Sequence, residues 1–134
     1  MQRSILVIDD DEDDCRIIKE SLLQVGIRFP IHITMDGEQA LGLLKEMKTN
    51  LPSLVILDLN MPGMNGMQVL EFINSEFGIP VILYTTSCDD ATVIKAKGMG
   101  AVDCIKKGTS YSDNLKFAKY VADLMRSFRP EPIS

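Results

Sequence analysis

At 134 residues, 46% hydrophobic and 25% charged, the chain has the make-up of one soluble globular domain, a size that buries about two-thirds of its unfolded surface. A net charge of −5 without a basic stripe argues against direct nucleic-acid binding, where neutralising phosphates dominates affinity. Three widely spaced cysteines (Cys15, Cys88 and Cys104) form no CxxC or Cys/His cluster, which argues against structural zinc and for free thiols in a reducing compartment; with no apolar run of about 18 residues and no signal peptide, a cytoplasmic protein with no membrane span is expected.

The first strand is Ser4-Ile5-Leu6-Val7-Ile8, short, apolar and β-branched. It runs into Asp9-Asp10-Asp11-Glu12-Asp13-Asp14. The strand side of that acidic run can be a ligand site. Its far side, Asp11 to Asp14, starts a helix as a solvated capping face, because acidic residues in a first turn favour the dipole and supply caps. Helix one shows Ile17, Ile18, Leu22 and Val25 at helical spacing and stops at Gly26. Residues 30–34 alternate and form strand two, with His32 as a structural residue. Asp36-Gly37-Glu38 opens helix two, with Ala40, Leu41, Leu44 and Met47 on its inner face, and Asn50-Leu51-Pro52 ends it.

Leu54-Val55-Ile56-Leu57 is strand three, a continuous apolar run of the kind buried in parallel sheets. It delivers one carboxylate, Asp58, into a Met-Pro-Gly and Asn-Gly turn, which keeps Asp58 out of a helix and reachable. The eight methionines are mostly core filling; for Met61 and Met64, on the turn, exposure beside Asp58 is the alternative reading. Gly66 starts helix three, carrying Val69, Leu70, Phe72 and Ile73. Residues 80–84 are strand four, ending in Thr85-Thr86-Ser87. Asp89 and Asp90 open helix four, which runs to about Gly98, and residues 101–105 are strand five, ending in Lys106-Lys107-Gly108. Helix five runs from about Ser112 to Ser127, with Leu115, Ala118, Val121, Ala122 and Met125 inward, before a tail at residues 128–134.

Five strands alternating with five helices imply an α/β fold with a parallel sheet covered on both faces. Right-handed crossovers leave few topologies. The favoured one is the flavodoxin-like (βα)5 three-layer sandwich, order 2-1-3-4-5, with its switch point between strands one and three. Asp9, Asp10 and Asp58 then converge on one sheet edge, where three carboxylates repel one another. A hard divalent ion such as Mg²⁺ offsets that charge, using one or two carboxylates plus waters and a phosphate. A main-chain carbonyl just after Asp58, that of Asn60, completes the shell. Lys107 adds a second positive charge and Thr85 a hydroxyl donor. This set describes phosphoryl transfer, with Asp58 as nucleophile forming an aspartyl phosphate and with metal and lysine stabilising developing charge.

In combination, the apolar strand plus Asp9-Asp10, the apolar strand plus Asp-x-x-Met-Pro-x-Met-x-Gly from Asp58, Thr85 after strand four and Lys107 after strand five resemble the receiver domain of two-component response regulators. The resemblance covers residues 3–127. It implies that Asp58 takes phosphate from a sensor histidine kinase or histidine phosphotransfer protein. It implies Mg²⁺ held by Asp10, Asp58 and the Asn60 carbonyl, with Asp9 acting through water, and Thr85 and Lys107 contacting the phosphoryl group. The Thr-Thr-Ser and Lys-Gly-Thr-Ser-Tyr stretches resemble stand-alone receivers. The signal would then leave through the face of helix four, strand five and helix five, toward an unknown downstream protein or a second copy in a homodimer. Asn60 and Ser87 occupy positions that tune phosphate lifetime in this family.

Three positions depart from the family pattern. Gly108 follows Lys107 where proline is usual, often with a cis peptide that costs about 3 kcal/mol without proline. Cys104 stands three residues before the lysine, in place of the switch aromatic. Lys106 adds a neighbouring amine, so the lysine assignment rests on register. A receiver-shaped scaffold that is never phosphorylated stays open on these grounds. A haloacid dehalogenase-type phosphatase would use Asp9 of Asp9-x-Asp11 as nucleophile, but the chain is short and lacks a cap or later acidic pair. A flavin module needs a Ser/Thr/Gly phosphate loop where this one is acidic.

Overall fold

The computed structural model describes residues 3–63 and 65–128. Met64 and most of the expected tail, residues 129–134, lie outside the described residues. The elements alternate as β1 (Ile5–Ile8), α1 (Glu12–Gln24), β2 (Ile31–Thr34), α2 (Gly37–Glu46), β3 (Leu54–Leu57), α3 (Gly66–Phe77), β4 (Val81–Thr85), α4 (Asp90–Gly98), β5 (Ala101–Lys106) and α5 (Tyr111–Ser127). The sheet is parallel with order β2-β1-β3-β4-β5, the expected α/β arrangement.

Each helix starts where a short polar side chain meets free backbone N–H groups. Asp11 accepts from Asp13 and Asp14 ahead of α1, Asp36 from Gln39 ahead of α2, and Asn65 from Met67 and Gln68 ahead of α3. Asp89 accepts from Thr92 ahead of α4, and Ser110 from Asp113 ahead of α5. Gly78 closes α3 at φ 66°, a left-handed turn that glycine adopts without a Cβ penalty. Every peptide bond among the described residues is trans, Lys107–Gly108 included.

Side-chain alternation along the central strands sorts the core into two layers. Leu6, Ile8, Val55, Leu57, Val81 and Leu83 pack under α2, α3 and α4. Ile5, Val7, Ile56, Ile82 and Tyr84 pack against α1 and α5. β1, β3 and β4 are buried throughout, as a central strand covered on both faces must be.

Several inner-face expectations need correction. Phe72 is 37% exposed while its neighbour Ile73 is fully buried, because the buried stripe of α3 falls on Val69, Leu70 and Ile73. On α5, Leu115 is only half-buried, and Phe117 takes the core position instead. Its ring stacks on Tyr84, centroids 3.7 Å apart and planes 4° from parallel. Met47 is likewise half-buried, whereas Leu41 and Val25, also half-buried, do pack against the core. Met61 is buried in the core, in line with the core-filling reading and against the alternative of exposure beside Asp58.

Candidate functional site

The sheet's hydrogen-bond ladder extends into the loops and fixes the residues there. Asp9 N donates to Thr34 O at 3.1 Å, Asp58 N to Ile8 O at 3.0 Å and Lys107 N to Thr85 O at 2.9 Å. Ile8 pairs with Leu57, so Asp9 and Asp58 leave adjacent strands side by side. Both are buried, and Asp10 is exposed. Carboxylate oxygens of Asp9, Asp10 and Asp58 lie within 4.8 Å of one another.

Lys107 Nζ enters this cluster. It donates to Asp9 Oδ2 at 2.7 Å, Asp14 Oδ2 at 2.7 Å and Asp58 Oδ2 at 3.3 Å. The second oxygens are taken by backbone: Asp11 N donates to Asp9 Oδ1 at 3.0 Å, and Asn60 N donates to Asp58 Oδ1 at 3.1 Å. Lys106, by contrast, is exposed, so Lys107 is the amine that reaches the carboxylates. Burial raises the Asp9 pKa, with the Lys107 hydrogen bond pulling the other way. For Lys107, burial favours the neutral amine, but its hydrogen bonds to Asp14 and Asp9 and the nearby negative charges outweigh it and raise the pKa. The ammonium therefore stays charged through the neutral range.

One ammonium faces three carboxylates in Asp9, Asp14 and Asp58, with Asp10 beside them. The cluster keeps a negative excess. Hard oxygen donors at this spacing, with uncompensated charge, fit a divalent cation of the Mg²⁺ or Mn²⁺ kind and not a soft metal.

Thr85 is completely buried at the end of β4. Its hydroxyl accepts from Asn60 Nδ2 at 3.1 Å. The same amide donates to Thr86 Oγ1 at 2.8 Å and Ser87 Oγ at 3.2 Å. Asn60 thus links the Asp58 turn to the segment after β4, and the side chains of Asn60 and Ser87 meet directly. Gly66 makes that turn possible: a Cβ there would lie 2.8 Å from Leu59 Cα and 3.1 Å from Leu59 O.

Two features were not anticipated. Asp14, expected on a solvated face, is the third partner of Lys107. Its only sequence signal is its place one turn into a helix that starts beside Asp9 and Asp10. Cys88 and Cys104 meet, Sγ to Sγ at 2.9 Å. Asp11, the second acid of the phosphatase-like Asp9-x-Asp11 pattern, caps α1 instead of facing Asp9.

The response regulator receiver domain model matches residues 5–118. The DNA-binding response regulator MtrA of Mycobacterium tuberculosis is 35% identical over 107 residues, 80% of this chain and 45% of that protein; the chain spans less than half the length of that relative. The Mn(2+)-bound form of response regulator Rcp1 superposes with TM-score 0.80 at 26% identity, covering 98% of this chain and 97% of that one. The phosphorylated cyanobacterial phytochrome response regulator RcpA shares the fold, with TM-score 0.84 at 24% identity over 99% of this chain and 100% of that one. Sheet order, acidic strand ends and sequence likeness converge: the chain belongs to the receiver domain family of two-component response regulators.

Proposed function

We propose that Asp58 is the phosphoacceptor of this receiver domain, charged by a sensor histidine kinase or histidine phosphotransfer protein with Mg²⁺. The observation that carries this reading is the convergence of Asp9, Asp10, Asp58 and Lys107 at the switch point of the sheet. An oxygen of Asp58 attacks the phosphorus of a phosphohistidine, a P–O bond forms, the P–N bond breaks, and the imidazole leaves with a proton. Asp10, Asp58 and the Asn60 carbonyl would hold the metal, with Asp9 contributing through water, and the ion supplies charge stabilisation at the phosphoryl oxygens. The Mn(2+)-bound relative supports a divalent site of this type. Lys107, already 3.3 Å from Asp58, holds a fixed ammonium toward the developing charge. Thr85 supplies a hydroxyl once it turns from Asn60 to the phosphoryl group. The chain acts as a signalling phosphoacceptor.

Phosphorylation adds about two negative charges. Thr85 and Lys107 sit at the ends of β4 and β5, so their response moves the α4–β5–α5 face. That face carries exposed Ile94 on α4 and Val102 on β5, which suits contact with a downstream protein or a second copy. A full switch from off to on needs about 5.5 kcal/mol of differential stabilisation, so a partial shift is expected in the isolated domain. No helix among the described residues is long and apolar enough to cross a membrane. The net charge of −5 suits protein partners and not direct nucleic-acid contact.

Acetyl phosphate with Mg²⁺, read by intact mass, tests the assignment. The native chain gains one phosphate; Asp58→Asn gains none, nor does the native chain in EDTA. A phosphate retained in Asp58→Asn overturns the assignment.

A further inference from the structure

Cys104 lies on β5, 7% exposed, among the residues packed under α4. Cys88 lies half-buried in the segment between β4 and α4. The Cys88 thiol is 2.9 Å from Cys104 Sγ and 3.0 Å from the Cys104 carbonyl oxygen. That sulfur separation is within about 1 Å of a disulfide bond. The third cysteine, Cys15, is buried on the opposite layer of the core against α1 and α5, so the sheet separates it from this pair.

We propose that Cys88 and Cys104 form an oxidisable dithiol, which a peroxide converts to an intrachain disulfide tying the β4–α4 segment to β5. Cys88 is the attacking thiol because it is the more exposed of the two. Its sulfur attacks a peroxide oxygen, the O–O bond breaks, and the Cys88 proton leaves with the departing oxygen as water, leaving Cys88 as a sulfenic acid. Cys104 sulfur then attacks Cys88 sulfur. The S–O bond breaks and the hydroxide leaves with the Cys104 proton as a second water. Two thiols and one peroxide give one disulfide and two waters. Burial, then the contact with Cys88, pushes the Cys104 thiol up to about 12, which suits it to wait as the protonated resolving partner.

The tied segment starts with Thr85-Thr86-Ser87, all three bonded to Asn60, and ends at Asp89, the N-cap of α4. A disulfide holds this segment as it stands here, with the Thr85 hydroxyl turned to Asn60. Oxidation therefore slows phosphate uptake. This consequence rests on Asp58 as phosphoacceptor; the disulfide does not.

The reduced full chain is treated with hydrogen peroxide and read by intact mass and non-reducing peptide mapping. Expected is a loss of two hydrogens and one Cys88–Cys104 cross-link, reversed by dithiothreitol, kept in Cys15→Ser and Asp58→Asn, and lost in Cys88→Ser and Cys104→Ser. A cross-link through Cys15, interchain dimers, or oxygen adducts without loss of two hydrogens overturns the proposal. Oxidised and reduced chains are then compared for phosphate gain from acetyl phosphate and Mg²⁺. Slower gain in the oxidised chain, restored by dithiothreitol, supports the coupling. Equal gain overturns the coupling and leaves the dithiol standing. No gain in either form overturns the Asp58 reading and the coupling with it, while the mass result still decides the dithiol.

Discussion

Replacing Lys107 with methionine keeps most of the unbranched side chain and removes the one ammonium that contacts Asp9, Asp14 and Asp58 among the described residues. The Lys107, Asp9 and Asp58 side chains are 10%, 2% and 6% exposed, and the contacts are 2.7 to 3.3 Å long. Breaking a buried ion pair by removing one partner costs about 3–5 kcal/mol, because the remaining charge stays buried without compensation. Here the cost falls at the low end, near ~3 kcal/mol, since Asp14 is 36% exposed and water relieves it, while protonation of a buried carboxyl caps the penalty on the others. That corresponds to a melting temperature lower by about 10 °C for a domain of this size. Urea unfolding followed by circular dichroism, in EDTA and in Mg²⁺, checks it. A cation at a hundred times its Kd stabilises by about 2.7 kcal/mol, and in Lys107→Met the ion no longer competes with the ammonium for Asp9 and Asp58. Mg²⁺ therefore recovers most of the loss in the variant and stabilises the native chain less. A loss below about 1 kcal/mol in EDTA, the level of a surface pair, refutes the reasoning, as does a loss that is the same with and without Mg²⁺.

Gly66→Ala brings a Cβ to 2.8 Å from Leu59 Cα, which only backbone movement relieves. A loss of about 2 kcal/mol is expected by urea unfolding, with slower phosphate gain because the Asp58 turn shifts; an unchanged midpoint counts against it. Phe117→Ala empties the stack on Tyr84 and costs about 4 kcal/mol, whereas Phe72→Ala, at a 37% exposed position, costs under about 1 kcal/mol; equal losses contradict the burial pattern. For Cys104, burial and then the Cys88 contact push the folded thiol up to about 12 from an ordinary 9.0, so the unfolded chain loses its proton first. Stability from this group is present below pH 9.0 and falls as pH rises toward 12. The urea midpoint is expected to fall less across this window in Cys104→Ser than in the native chain, and parallel falls refute the assignment.

Most of the fold and most of the candidate site could be read along the chain, for a local reason. A buried parallel strand needs an unbroken apolar run, so β1, β3 and β4 announced themselves, and each run stopped at a polar residue the fold places at one edge: Asp9, Asp58 and Thr85. Strand alternation with helices then restricted the order of the sheet. Helix faces were less legible, because a stripe of 3.6-residue period admits neighbours such as Phe72 and Ile73 equally, and only docking on the sheet chose between them. Met61 sits in turn chemistry, yet its long flexible side chain folds back into the core.

What the tertiary structure alone decided were the contacts between distant segments. Lys107 and Asp14 are 93 residues apart and Cys88 and Cys104 are 16 apart, and no local periodicity encodes either pairing. The first depends on the Lys107 side chain reaching from the end of β5 to the first turn of α1. The second depends on the β4–α4 segment passing over the inward-facing side of β5. Composition and spacing specified which side chains stand at the strand ends; the parallel packing of the strands and helices specified which of them touch.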